Sequence, residues 1–251
     1  MHVDGAAYFS RLHRLLSSLD AGDWLYLTDW RIDATRQLDG PGTELGPLLT
    51  GLARKGVGIR GLLWRSHPAL VHFNQDANRV LGTMVNRAGG QLVADQRVRR
   101  FGSHHQKLLV VHCPDEPGRC IAFVGGIDLS RGRRDDRAHL GDHDPVRIDP
   151  RYGHRPPWHD MQLELHGPAV LDVDLTFRER WEDRTPTDHR NPLWRCGGGS
   201  ATSPGAGSCS CAGCRHPGSA PTPCRCSAPT RPGTGRSRSR PTASAASPAP
   251  T

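Results

Sequence analysis

Apolar residues return every three or four positions near the start of the chain. In "AAYFSRLHRLLSSL" this puts Phe9, Leu12, Leu15, Leu16 and Leu19 on one stripe, which predicts an amphipathic helix. "WLYLTDW", residues 24–30, has an aromatic at each end and predicts a strand. The helical period returns from Thr43 in "GTELGPLLTGLARKG", with Gly46 and Pro47 in the first turn. "GIRGLLW" at 58–64 predicts a second strand. "NQDANRVLGTMVNRAGG" predicts a helix stopped by paired glycines, and "QLVA" predicts a short strand ending at Asp95. Two more strands, "QKLLVVHC" and "CIAFVGG", flank the turn-rich "PDEPGR". A polar stretch, about 130–157, separates them from the strand "MQLELH" and a helix opening at Pro168. In that helix Val170, Val173, Leu175, Phe177 and Trp181 are available for burial.

Strands alternating with helices predict an α/β fold, a layered α/β/α domain with a central mixed sheet over residues 1–190. Strands with apolar residues at consecutive positions predict burial on both faces of that sheet. After Trp194 no Val, Ile, Leu, Met, Phe, Tyr or Trp occurs. Residues 191–251 read as a low-complexity Pro/Ser/Arg/Cys tail that cannot bury enough apolar surface to offset its ordering entropy. The segment reads as disordered, or as the product of a shifted reading frame in GC-rich DNA.

Composition changes the picture once it is placed along the chain. The net charge is +8, but the tail holds seven arginines and no acidic residue. The first 191 residues carry 26 basic and 25 acidic groups, so the domain is nearly neutral. A groove tracking nucleic-acid phosphates needs a basic stripe, which argues against specific nucleic acid as partner. Six of the eight cysteines lie in the tail, where "CSCAGC" and "CRC" lack the paired spacing and folded context of a zinc site. With no leader pattern and no long apolar run, the expectation is a soluble cytoplasmic protein with reduced thiols and no transmembrane segment.

Only two of the 33 basic residues are lysines, and one of them stands in "SHHQKLLVVH", residues 103–112. On a strand, residues i and i+2 share a face, so His105 and Lys107 would present imidazole and ammonium side by side. An imidazole titrates near neutrality and serves as nucleophile or acid. An adjacent ammonium clamps a phosphate oxygen and favours the neutral, nucleophilic imidazole. The pair suits attack on phosphorus.

"HHQKLLVV", followed by "AFVGGIDLSRGRRDD" and "WHDMQLELHGPAVLDVDLTFRERW", resembles the phospholipase D superfamily of H-x-K-x-x-x-x-D proteins. "DWRID" and "GLLWR" extend the likeness over about residues 20–190, the amino-terminal half of such a protein. The resemblance implies a phosphodiesterase acting on phospholipid, with His105 as nucleophile or leaving-group acid and Lys107 on the phosphate. It implies close backbone approach at Gly125 and Gly126, polar support from Asp128, and no metal or other cofactor. Contact with a membrane surface is likewise implied by the likeness alone. His104 is a neighbour or a support for the pair. The position of the motif's aspartate holds His112, and Asp95, Asp135, Asp136 and Asp160 are the candidate replacements. The family's site combines two motifs and this chain has one H-x-K. A homodimer, or a separate second half, is therefore the expected partner. The rival readings are a single-motif dimeric nuclease and a non-catalytic remnant. The loop "RGRRDDRAHLGDHD" reads equally as a substrate-side lid or a solvated connection. Trp24, Trp30, Trp64 and Trp181 read as packing residues, and the acidic residues of "DWRID" as a strand cap.

Overall fold

The computed structural model describes residues 1–66, 75–99, 102–144, 151 and 153–187. All of these belong to one unit, Met1–Gly199. The expectations for residues 191–251 lie outside the described residues.

The chain runs β1 (His2–Val3), α1 (Gly5–Ser17), β2 (Trp24–Asp29), α2 (Leu45–Lys55), β3 (Gly58–Trp64), α3 (Gln75–Arg87) and β4 (Gln91–Asp95). It continues through β5 (Leu108–His112), a 3₁₀ turn at Pro117–Arg119, β6 (Ile121–Gly125), β7 (Met161–His166) and α4 (Ala169–Glu182). Seven strands form one sheet in the order β1-β7-β6-β5-β2-β3-β4. β2, β3 and β4 are parallel and are joined by α2 and α3, while β5, β6 and β7 form an antiparallel meander. β5 joins the two halves by pairing antiparallel with β2, Leu27 opposite Leu109. The sheet is mixed, as the alternation of elements predicts.

Two apolar layers cover it. On one face, the stripes of α1, α2 and α3 (Phe9, Leu12, Leu49 and Leu81 among them) meet Leu25, Leu27, Leu109, Val111 and Phe123. On the other, Val170 and Phe177 of α4 meet Tyr26, Leu62, Leu108, Val110 and Ala122. Alternate residues of β2 and β5 therefore enter different cores, which is why Trp24–Leu27 and Leu108–Val111 are consecutive apolar runs. Phe177 stacks on Tyr26 with ring centroids 4.9 Å apart, and Trp181 stacks on Phe177 at 5.6 Å. Trp24 lies under the Arg60 guanidinium at 4.8 Å. These aromatics are packing residues.

Three boundaries differ from the pattern. β1 is two residues long, too short for any alternation to register, and exists only through its pairing with β7. α2 begins at Leu45 rather than Thr43, because the Thr43 hydroxyl donates to the Gly40 carbonyl and accepts from the Asp39 N–H, closing a turn before the helix. β5 begins at Leu108, so the two candidate catalytic residues stand just ahead of the strand rather than on it.

Candidate active site

The chain enters β5 from Gly102 without regular structure, held to the sheet at its end by the Gly125 N–H donating to the Lys107 carbonyl and the Thr28 hydroxyl donating to the Gln106 carbonyl, each at 3.4 Å. Alternation nevertheless persists through the last two positions. Lys107 Nζ lies 3.2 Å from His105 Nε2 and 3.0 Å from Asp128 Oδ1. An ammonium only donates, so Nε2 accepts and the proton of the neutral imidazole sits on Nδ1. Lys107 is 6% exposed, whereas His105 is open to solvent. Trp30 closes one side, its ring 5.5 Å from the His105 ring and 5.8 Å from Lys107 Nζ. Burial and then Lys107 push the His105 pKa below its ordinary value, with Arg133 adding to the effect and Asp128 opposing it. His105 is thus neutral at pH 7, the form with a lone pair to offer phosphorus.

Beneath Lys107 lies a carboxyl pair. Asp128 follows β6, and Asp29 ends β2; they are 4% and 1% exposed. Asp29 Oδ2 accepts from the Leu129 N–H at 2.9 Å and Oδ1 from the Arg31 N–H at 3.2 Å. Burial first, then the charge and hydrogen bond of Asp128, raise the Asp29 carboxyl well above the usual carboxylate range, against the pull of the Leu129 N–H and Lys107. Asp29 thus takes up a proton more readily than an ordinary carboxyl, in hydrogen-bond contact with the Asp128 carboxyl that Lys107 pairs with. The sequence offers no way to tell this residue from a strand cap: the only signal is an acidic residue where a buried strand ends.

The two glycines after β6 have separate reasons. A side chain on Gly125 would put its Cβ 2.4 Å from the Met161 carbonyl and 2.9 Å from Gln162 Cα, both main-chain atoms of β7. On Gly126 it would meet the Asp160 carboxylate, 2.3 Å away, an atom that can swing aside. Gly125→Ala should therefore cost more than Gly126→Ala. We expect about 2–3 kcal/mol for the first and about 1 kcal/mol for the second in urea unfolding. Equal costs would show that β7 yields as easily as a side chain.

Asp160 carries the site outward. Its Oδ2 accepts from Trp158 Nε1 at 3.4 Å, and its Oδ1 from the Met161 N–H at 2.7 Å. The Trp158 ring lies 3.7 Å under the Arg133 guanidinium, whose Nε is 3.4 Å from Asp128 Oδ2. Nothing in "SRGRRDDR" distinguishes Arg133 from Arg131, Arg134 and Arg137; only the fold turns this one inward.

Comparison with known proteins decides the family. The profile described as Phospholipase D matches residues 19–193. The chain belongs to the phospholipase D family. Among curated proteins, Phospholipase D alpha 1 of Nicotiana tabacum is 30% identical over 215 residues, covering 68% of this chain and 27% of that protein. Phospholipase D alpha 1 of Ricinus communis is 31% identical over 210 residues, covering 65% of this chain and 26% of that one. The chain thus spans about a quarter of the length of these phospholipases. Among solved structures, a polyphosphate kinase from Porphyromonas gingivalis matches 71% of this chain and 24% of its own, at 18% identity and a TM-score of 0.45.

The remaining residues picked from the phospholipase D motif separate into four places. His112 sits at the far end of β5, opposite Trp24, its Nδ1 3.6 Å from Cys120 Sγ. Five residues of strand put it about 17 Å from Lys107. The departure from the motif's aspartate therefore lies at the other end of β5 from the His105–Lys107 pair. Asp95, fully buried, joins Arg97 at 2.9 Å and Arg180 at 2.8 Å, tying β4 to α4 beside His104 rather than His105. His104 is buried and bonds Gln106 Oε1 through Nε2 at 3.0 Å. Asp136 caps a turn by accepting from the Ala138 N–H and does not reach the site.

Asp135 likewise stands apart: it is fully buried and accepts from His139 Nδ1 at 2.8 Å. That histidine joins Asp4 and His159 in a cluster whose ligand atoms lie within 4.8 Å of one another, the one grouping of three or more His, Cys, Asp or Glu of this kind among the described residues. A carboxylate and two imidazoles form a donor set that suits a divalent cation. Here His159 Nδ1 bonds Asp4 Oδ1 at 2.7 Å, so the three also hold one another. Among the described residues no helix is long and apolar enough to cross a membrane.

Proposed function

We propose that this chain is the His-x-Lys half of a phospholipase D-like phosphodiesterase acting on phospholipid. The observation that carries the reading is the position of Lys107 Nζ, 3.2 Å from a neutral His105 and 3.0 Å from a buried Asp128. A phosphodiester entering beside Trp30 takes over the ammonium from the imidazole and frees Nε2. Nε2 then forms a bond to phosphorus while the bond from phosphorus to the headgroup oxygen breaks. The departing oxygen needs a proton from the opposite face, and a water or alcohol later displaces the histidine, losing its own proton there. His105 cannot stand on both faces. The second acid–base group comes from another His-x-Lys half, in a second copy of this chain or in a separate segment. Phospholipid is preferred to nucleic acid because the similar curated proteins are phospholipases D and residues 1–191 are nearly neutral.

The test is to incubate the protein with phospholipid labelled in its phosphate and to trap the adduct in alkali. A phosphoramidate on His105, absent from His105→Ala, is the expected result. Unlabelled protein in a sample shown by sedimentation to be dimeric would overturn the covalent reading. Salt-sensitive cleavage of DNA by the same sample would move the substrate class to nucleic acid.

A further inference from the structure

We infer that Arg133 is a second phosphate-facing cation, held on the indole of Trp158 across Asp128 from Lys107. The inference rests on the phosphodiesterase reading and adds a residue that the His-x-Lys motif does not contain.

Its backbone is fixed from three directions. The Gly5 Cα hydrogens leave the only room for the Arg133 carbonyl, since a Cβ on Gly5 would stand 2.1 Å from that oxygen. The N–H groups on either side, of Gly132 and Arg134, both donate to Asp142 Oδ2, at 2.8 and 3.2 Å. Asp142 is buried and paired with the buried Arg36. Two residues further on, the Ala6 N–H donates to the Asp135 carbonyl at 2.9 Å. A solvated connection has no use for a paired buried arginine and aspartate beneath it. Such a brace presents one side chain in one place.

The side chain is then oriented by Trp158. Stacking at 3.7 Å occupies the face of the guanidinium and leaves its N–H edge for acceptors in its plane. The acceptors it has are both long, Asp128 Oδ2 at 3.4 Å and the Gly132 carbonyl at 3.5 Å, while the other oxygen of that carboxylate holds Lys107 at 3.0 Å. Asp128 thus separates two cations. Arg133 is near enough to His105 to contribute to its lowered pKa. Two cations, Lys107 and Arg133, share the single Asp128 carboxylate, an excess of one positive charge, and the upward shift of the Asp29 carboxyl works in the same direction. A phosphodiester carries one negative charge spread over two non-bridging oxygens, one for each cation. The same charge count disfavours a phosphomonoester dianion.

The probe is dimethyl phosphate, a phosphodiester monoanion, titrated into the full chain by phosphorus NMR, with inorganic phosphate as comparison. Arg133→Gln should weaken dimethyl phosphate at least about tenfold and reduce the slope of log affinity against log salt by about one charge. Arg133→Lys keeps the charge and loses the stacked fork, and should lose about threefold. The imidazole NMR titration of His105 should move up in Arg133→Gln and hold in Arg133→Lys, a response that a purely structural arginine would not produce. Wild-type affinity in folded Arg133→Gln overturns the inference and leaves the His105–Lys107 reading standing. A wild-type chain that binds neither probe overturns both.

Discussion

Lys107→Met is expected to destabilise the fold by about 3–5 kcal/mol, far more than loss of one hydrogen bond, because it breaks a buried ion pair and strands the other charge. Lys107 and Asp128 are 6% and 4% exposed, and Asp29 lies against the same carboxylate. Among the described residues the only cation then left against Asp128 is Arg133, at a long 3.4 Å. The cost belongs to the unpaired carboxylate, and two results follow. Lys107→Met/Asp128→Asn should recover most of the loss, giving a coupling of about 2 kcal/mol or more in a double-mutant cycle. The penalty of the single variant should also shrink in acid, as the stranded carboxylate takes up a proton. Urea unfolding of the four proteins at pH 7 and pH 5 measures both. A single-variant cost below about 1 kcal/mol would mean that water reaches this pair freely and that the site is not preorganised.

The pair itself is legible in the sequence because two residues of extended chain are enough to put His105 beside Lys107, with or without a neighbouring strand. The sheet is legible for a related reason. Leu108 to Val111 are all apolar, and only a strand covered on both faces explains four such residues in a row. What the pattern cannot show is what crosses from one element to another. Asp29 belongs to the site because β2 and β5 are neighbours in the sheet, eighty residues apart in the chain. Arg133 belongs to it because Gly5 lets the loop settle on α1 and Asp142 fixes its amides. Trp30, which reads as packing, lines the pocket because β2 ends level with the start of β5. The apparent defect at His112 is the converse case. Spacing ties it to the motif, but a strand rises about 3.4 Å per residue and carries it to the opposite end of the sheet. The aspartates at 95, 135 and 136 are attractive in the sequence because they are acidic and close to the motif. Each is instead committed elsewhere, Asp95 to Arg97 and Arg180, Asp135 to His139 and Asp136 to a turn.

Between pH 6.5 and pH 4 the wild-type fold should lose about 3 kcal/mol of stability that His104→Gln retains. The His104 imidazole is 2% exposed, its Nδ1 has no hydrogen-bond partner, and Nε2 donates to Gln106. Burial, and then the Arg180 guanidinium, push its pKa down to about 4; Arg97 acts in the same direction, and Asp95 and Gln106 oppose. In the unfolded chain it titrates near 6.5. Between those two values the unfolded state binds a proton that the folded state refuses. Stability must therefore rise with pH across this window and fall as the solution is acidified. A difference of about 2.5 pH units at about 1.36 kcal/mol each sets the size. His105, also lowered, adds in the same direction. His139, raised by Asp135, acts oppositely, because its folded form gains a proton first. Glutamine at 104 keeps a donor for Gln106 and has nothing to titrate, so subtracting the two unfolding curves removes the contributions of His105 and His139. Parallel curves from pH 7 to pH 4 would mean that His104 protonates in the folded protein without penalty. The Asp95–Arg180 bridge would then have to open in mild acid to admit water, and α4 would be loosely held on the sheet just where it covers the entrance to β5.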